Sequence, residues 1–509
     1  MAELKSLAKD TVIYGVSTII GKFLNWLMVP IYTRVLPCPA DYGIITHLYA
    51  WSALLIAILT YGMETGFFRY VAKEKTEAGV ARVYSTTLTS LAFTSTLFLA
   101  ICIIWRVPIA TTLGYADHPE YTAMLFATVA MDAFCSIPFS YLRYVRKSIT
   151  FALLKLLMIA VNVTMNIFFL IVCPRLNVSH PELISWFYAP DYGVGYILVA
   201  NVFSTAIGSL ALMRYVVGVK WHFSWPLLKE MLNYSWPLLL LSVVGVANQS
   251  IDKILFPLLT HHSQQGMDDL GVYGACFKIA MVMMMFTYAF KFAYEPFVFG
   301  KSNDRDSTET YALAMKYYII TSLLIFLGMV ANIGLLGLLI DETYRHGLKI
   351  IPIVLATYLF QGVFYNLSLW YKLTDKTIYG AIFSLLGLVI TVIIDIIFVP
   401  HYSYMAAVWA TFISFFIIMV LSYAIGKKYY PVPYDLKAIG IYVAITIVLF
   451  VPMQLIDTHH FALDLVLKNL LLIPMIIYIT RHDLPLSALP VVGKYFKKKT
   501  HEATPANKQ

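Results

Sequence analysis

Five basic side chains stand within or at the ends of strongly apolar stretches: Lys22, Arg34, Lys253, Lys278 and Lys291. An ionisable group inside a bilayer costs roughly 2.5–3.5 kcal/mol to insert, so it faces a polar cavity or a partner. Lys22 lies near the middle of its stretch, too deep to snorkel easily, with Asn25 close by. Its readings are a cavity wall or a structural ion pair. Arg34 and Lys253 lie near the outer ends of their stretches, where snorkelling is the plain alternative. Asn248 and Asp252 are four residues apart, as are Gln249 and Lys253, so one broad helical face is polar there and needs water or partners. Lys278 is about two helical turns into its stretch and could line the same cavity. Lys291 and Glu295 also share a spacing of four, which suits a local ion pair, and Pro296 would bend or end that helix. The acids within the apolar stretches are Glu64, Asp132 and Asp395. Asp132 is the most central: a proton or sodium site, or the partner of a cavity lysine. Glu64 is close in sequence to Arg69. Glu64, Asp132 and Asp252 are the candidate coupling or partner acids. Cations outnumber acids in this set, and unpaired cations in a low-dielectric cavity favour an anionic solute.

The elements that position these groups follow from composition. The chain of 509 residues is 60% hydrophobic and 13% charged, with a mean hydropathy of +0.74. That describes an integral membrane protein. Continuous apolar runs exclude an outer-membrane barrel, whose strands alternate in polarity. Fourteen segments of helix-spanning length run at about 11–36, 42–66, 82–105, 121–142, 150–173, 192–216, 230–252, 271–299, 311–340, 349–371, 376–399, 403–426, 436–456 and 462–480. The predicted fold is all-α: two six-helix bundles in a pseudo-twofold parallel repeat, plus two extra C-terminal helices. A faint internal repeat supports this. Tyr14 leads an apolar run to Arg34, followed by Asp41-Tyr42-Gly43; Tyr234 leads one to Lys253, followed by Gly271-Val272-Tyr273-Gly274. The expected divisions are 1–220 and 221–430 for the bundles, 431–480 for the added pair and 481–509 for a basic cytoplasmic tail.

Most of the 37 Lys and Arg residues fall in alternate connections, which places both termini in the cytoplasm by the positive-inside rule. The first helix is expected to be its own insertion signal, with no cleavable leader, and residues 1–9 could lie in the membrane plane as an amphipathic helix. The net charge of +9 is then topology signal and headgroup contact rather than a nucleic-acid surface. No phosphate loop, HExxH or GxSxG pattern is present. Five cysteines show no metal or redox spacing. No cofactor is implied. Transport driven by a gradient or the membrane potential is the expectation, and an enzyme is not. A glycan polymerase would need a large outer loop, and an O-acyltransferase an intramembrane His; His47 is the main histidine inside a segment. Most of the 36 tyrosines suit cores and interfacial belts, although a few in a cavity could stack on sugar rings.

Three stretches carry a family resemblance: GVSTIIGKFLNWLMVPIYTRVLPCPADYG from Gly15, GMETGFFRY from Gly62, and YSWPLLLLSVVGVANQSIDKILF from Tyr234 followed by LGVYGACFKIA. The chain resembles the Wzx-type polysaccharide-biosynthesis (O-antigen) flippases, in the superfamily that also holds multidrug MATE exporters and the lipid II flippase. Over about residues 10–430 the resemblance implies movement of an undecaprenyl-pyrophosphate-linked oligosaccharide from the cytoplasmic to the periplasmic leaflet of the bacterial inner membrane, by alternating access. It implies a polysaccharide polymerase and a chain-length regulator as partners. The pair of helices at 431–480 resembles the added helices that form a lipid groove in the lipid II flippase. Asp252-Lys253 stands where the family usually has Asp-Arg, which keeps the positive charge with weaker bidentate grip on phosphate. Outward movement of an anionic headgroup is favoured by roughly 2.3 kcal/mol per charge per 100 mV. A MATE-type exporter of cationic drugs is the alternative, and it would call for an acidic pocket.

Overall fold

The computed structural model describes residue 15 and residues 19–217, 221–301 and 307–483; the expectations for residues 1–9 and for the tail beyond Asp483 lie outside this range. The first segment is helical over residues 19–27 and continues as Val29–Val35 (together α1). Then follow α2 (Pro39–Val71), α3 (Glu77–Ile104), α4 (Pro119–Tyr144), α5 (Ser148–Ser179), α6 (Pro190–Val217), α7 (Trp225–Leu259) and α8 (Gln264–Lys301). The remainder are α9 (Ser307–Ala331), α10 (Glu342–Leu373), α11 (Ile378–Tyr402), α12 (Tyr404–Tyr429), α13 (Leu436–Leu455) and α14 (Phe461–His482). Among the described residues, 13 helices are long and apolar enough to cross a membrane, and no strand is present. Helices are what such runs must form, because hydrocarbon offers no partner for an open backbone group. Large apolar side chains such as Ile382, Leu385, Val389, Ile393 and Ile396 are exposed along α11, which suits lipid rather than water.

Local chemistry sets the ends and breaks. Thr76 and Asp435 cap α3 and α13 by accepting the backbone N–H of Gly79 and Ala438, which satisfies an otherwise orphaned donor. Pro39 and Pro119 sit in the first turns of α2 and α4, where a missing N–H does no harm. Helix α2 breaks once, at Tyr61 (φ 31°) and Gly62 (φ 71°). α5 contains a π-helical turn at Phe168–Val172.

The described residues fall into two compact units, one within Met1–Phe292 and Ile340–Gly426, the other within Ala293–Leu339 and Lys427–Gln509. In the first, α4 is flanked by α3 and α6, α5 lies on α6, and α7 packs along both α2 and α11. One core there joins Met63, Phe67, Tyr84, Leu88, Ile137 and Met231. In the second, α9 packs on α13 and α14, and the ends of these helices meet at Asp483. Lys316 pairs with that carboxylate and Tyr442 donates to it.

Glycines let α2 approach α7 at one end and α8 at the other. A Cβ on Gly62 would lie 2.9 Å from the Ser235 carbonyl oxygen, and one on Gly66 would lie 2.6 Å from Ser235 Oγ. At the opposite end the contact is reciprocal. A Cβ on Gly43 would lie 3.2 Å from Gly271 N, and one on Gly271 would lie 3.1 Å from Gly43 N and 1.8 Å from the Pro39 carbonyl oxygen. The Asp41-Tyr42-Gly43 and Gly271-Val272-Tyr273-Gly274 stretches, matched in the sequence, touch each other here. Asp268 Oδ1 accepts from Ala40 N at 2.8 Å across the same seam.

Candidate functional site

Two adjoining cavities lie within the first unit. The larger, about 470 Å³, is built by α1, α2, α4, α6 and α8, and its polar lining includes Lys22, Asn25, Asp132, Asn201 and Lys278. The smaller, about 330 Å³, is built by α2, α7, α8, α10 and α12, and holds Asn248, Gln249, Lys253, Lys278, Thr357 and Gln361. Both are bordered by Tyr49, Ala53, Lys278, Met281 and Met284. Lys278 therefore stands on the partition and reaches either space.

The lysines are held by aromatic faces. Lys22 Nζ lies 3.9 Å from the Tyr288 ring centre. Lys278 Nζ lies 5.5 Å from Tyr49 and 5.7 Å from Tyr42. Lys291 Nζ lies 4.9 Å from Tyr365, and Tyr365 is hydrogen-bonded to Tyr288, which also bonds Gln249. Two of the five predicted cations thus meet through a tyrosine pair, Lys22 and Lys291. Ring faces attract a cation without supplying a counter-charge, and no carboxylate is paired with Lys22 or Lys278 among the ion pairs of the described residues. The wall behind them is fixed by amides: Asn162 donates to Asn201 Oδ1 and Asn201 to Tyr49 Oη, each at 2.8 Å. Asp132 is the acid of this cavity. Its carboxylate bonds Thr205 and faces the charge of Lys155, so it is anchored on α5 and α6 rather than on Lys22.

Lys253 is placed differently. Only 8% exposed, its ammonium pairs with Asp252 at 2.8 Å, and the Tyr273 hydroxyl donates to the same carboxylate oxygen. The Phe277 ring lies 3.9 Å from Nζ. Asp252 Oδ1 and both carboxylate oxygens of Asp395 are buried without a partner, as is Asn248 Oδ1. Asp395 is in the electrostatic field of Asp252 and Lys253. Two buried carboxylates beside one lysine leave negative charge uncompensated, which a proton or a monovalent cation would balance.

The remaining predicted residues lie elsewhere. Arg34 is exposed at the end of α1, lines neither cavity, and acts electrostatically on Asp341. Glu64 pairs with Arg143 at 2.8 Å, whereas the neighbouring Arg69 stacks over Tyr234 at 3.9 Å. Although Glu64 and Arg69 are close in sequence, their side chains have different partners. The Glu295 side chain, the expected partner of Lys291, lies outside the described residues. Sequence reasoning weighted charges and so passed over the amides Asn201 and Gln361 and the aromatic supports Tyr49, Tyr273 and Tyr288. A search for amides in the middle of apolar stretches would have found Asn201 and Gln361, because an amide there is also costly without a partner.

A family model described as polysaccharide biosynthesis protein matches residues 7–293, and one described as MatE matches residues 242–397. No curated protein matches the chain in sequence. Among solved structures, the lipid II flippase MurJ in an inward closed conformation superposes with a TM-score of 0.72 at 14% identity, covering 92% of this chain and 99% of that one. An inward-facing multidrug resistance MATE transporter gives 0.63 at 14% identity, over 82% of this chain and 98% of its own. A mutant of the Vibrio cholerae MATE transporter VcmN gives 0.53 at 12%, over 84% and 98%. At these identities the likeness is one of fold.

Proposed function

The chain belongs to the polysaccharide biosynthesis protein family, and from that membership we propose that it is a flippase for lipid-linked glycans, with undecaprenyl-pyrophosphate-linked repeat units of a surface polysaccharide as its cargo. The observation that carries this reading is the larger cavity, where Lys22 and Lys278 face one space with a single anchored acid, Asp132. A basic cavity at membrane depth suits a pyrophosphate and repels the cationic drugs of a MATE-type exporter. The amides and hydroxyls beside it suit sugars.

In this reading Lys22 and Lys278 receive the pyrophosphate, and Lys291 supports Lys22 through Tyr365 and Tyr288. The glycine seams at the two ends of α2 part alternately, so that the cavity opens to the cytoplasmic and then the periplasmic side of the inner membrane. With both termini cytoplasmic, the Gly43–Gly271 seam faces the periplasm and the Gly62–Ser235 seam the cytoplasm. Asp252 and Asp395 are the coupling acids, holding the proton or cation whose exchange accompanies the seam movement. The polymerase and chain-length regulator of the same glycan are the expected partners downstream.

The test is complementation. In a strain lacking the gene, the lipid-linked glycan should accumulate on the inner leaflet and surface polysaccharide should be lost. A Lys22→Ala, Lys278→Ala double variant, present at normal level, should fail to restore it. Full restoration by that variant would overturn the assignment of the anion site. Increased drug susceptibility without a glycan defect would transfer the protein to the exporter class.

A further inference from the structure

The smaller cavity has a chemistry of its own. Its Lys253 is engaged by Asp252 and Tyr273, and Lys278 lies at its border. What remains on its walls is neutral: hydroxyls, amides and aromatic faces, including Thr357, Tyr358, Gln361 and Phe415. Thr357 and Gln361 are four apart on α10 and share one face. Gln361 is 3% exposed and lines the cavity, and its side-chain amide makes no hydrogen bond among the described residues. An interior amide is normally paired. Here the group that would complete it must come from the cavity.

An amide offers two donors and an acceptor. In a cavity that Tyr358 and Phe415 also line, it offers what a neutral sugar needs: hydrogen bonds for its hydroxyls, with aromatic rings for its C–H surface. The volume, about 330 Å³, falls at the lower end of the roughly 300–1,000 Å³ typical of small-molecule sites. Connectivity adds a constraint. In a glycan linked through pyrophosphate, the first sugar is bonded directly to a phosphate, so the sites for the two must adjoin. The two cavities do adjoin, and Lys278 is on their shared border.

We propose that the smaller cavity is the subsite for the sugar attached to the pyrophosphate, and that Gln361 determines which sugar it accepts. This rests on the reading of the larger cavity as the pyrophosphate site. A site that must hydrogen-bond a hydroxyl discriminates against ligands that lack it more strongly than an apolar pocket discriminates by size.

The experiment uses the purified full-length protein in lipid nanodiscs. The probes are undecaprenyl pyrophosphate and the same lipid carrying a single glucose, galactose or N-acetylglucosamine. At least one sugar-bearing lipid should bind more tightly than the bare one. Gln361→Met, which keeps the length without the amide, should weaken that ligand by about three- to tenfold and leave the bare lipid unchanged. Unchanged binding of the bare lipid also shows that the variant is folded. Thr357→Val, on the same face, carries the same comparison if Gln361→Met does not yield folded protein. The subsite is overturned if no sugar improves binding, or if the variant weakens bare and sugar-bearing lipids equally or neither. Absence of binding of bare undecaprenyl pyrophosphate to the unaltered protein overturns instead the pyrophosphate reading beneath it.

Discussion

Replacing Gly271 by Ala tests whether the α2–α8 seam is a closing contact. The added Cβ would lie 1.8 Å from the Pro39 carbonyl oxygen, against an ordinary contact distance of about 3.5 Å. The two helices must separate by about 1.7 Å, because both clashing groups are backbone or fixed to it. That movement also stretches the 2.8 Å bond from Ala40 N to Asp268 Oδ1 beyond hydrogen-bonding range. Overpacking of this kind costs about 1–3 kcal/mol, which is roughly a 5–150-fold shift in the population of the closed seam. Cys38 reports it. Of the five cysteines the other four are buried, and Cys38 is partly exposed. Its thiol is pushed up chiefly by burial, against an opposing backbone hydrogen bond at Asp41, with further upward pushes from the Asp41 and Asp268 carboxylates. Opening the seam reduces the burial and withdraws Asp268, so the reactive thiolate becomes more abundant. A membrane-impermeant maleimide applied from outside should therefore label Gly271→Ala protein several-fold to two orders of magnitude faster than the unaltered chain, with Cys38→Ser as the blank. Labelling of folded Gly271→Ala protein at the original rate would refute the role of the seam. Labelling only after permeabilisation would reverse the proposed orientation.

Three further outcomes follow from the buried charges. Lys253→Met should destabilise the protein by about 3–5 kcal/mol, since it leaves the buried Asp252 carboxylate uncompensated, and adding Asp252→Asn should recover most of that in thermal unfolding assays. If Asp395 helps to hold a coupling cation, the melting temperature should rise with the concentration of that cation, by an amount equivalent to about 2.7 kcal/mol at 100 times its dissociation constant. Asp395→Asn should abolish the rise, whereas a dependence unchanged in the variant would remove Asp395 from the site. For Asp483, burial pushes the carboxyl up, but hydrogen bonds from Lys316 and Tyr442 outweigh burial and hold it below the usual carboxylate value. A lowered carboxyl stabilises the folded state above its unfolded pKa of about 3.9, and that contribution is lost as pH falls through the folded value. Acidification below about pH 4 should loosen the α9–α13–α14 contact, and Lys316→Met should flatten this part of the stability profile.

The span pattern was legible because a bilayer leaves apolar runs one solution. Boundaries read at 192–216 and 376–399 became Pro190–Val217 and Ile378–Tyr402. Positions inside the spans were legible only in part. Lys22, Asp132 and Lys278 announced themselves as charges in apolar surroundings, and all three line the larger cavity. Arg34 and Lys253 hold corresponding places in the sequence repeat, yet one is exposed and the other buried. What separates them is the neighbour: Asp252 precedes Lys253, and Tyr273 reaches it from the next helix at 3.4 Å. No spacing rule within one helix supplies that second element.

The same distinction between a charge and its surroundings bears on specificity. The sequence suggested one cationic cavity, with Lys253 as an equal member of its lining. In the structure the Lys253 charge is used locally by Asp252, so the space beside it is left with neutral chemistry at Gln361, Thr357 and Tyr358. Under the proposed function, anion capture concentrates on Lys22 and Lys278, and the proposed sugar subsite gives discrimination to a cavity that a count of charges would have called basic. Relatives moving different glycans would then need to keep the lysine pair and could vary the α10 face. Exchanging residues 357–361 with the corresponding turn of such a relative should transfer glycan preference without loss of pyrophosphate binding, and a chimera that retained the original preference would place specificity outside α10.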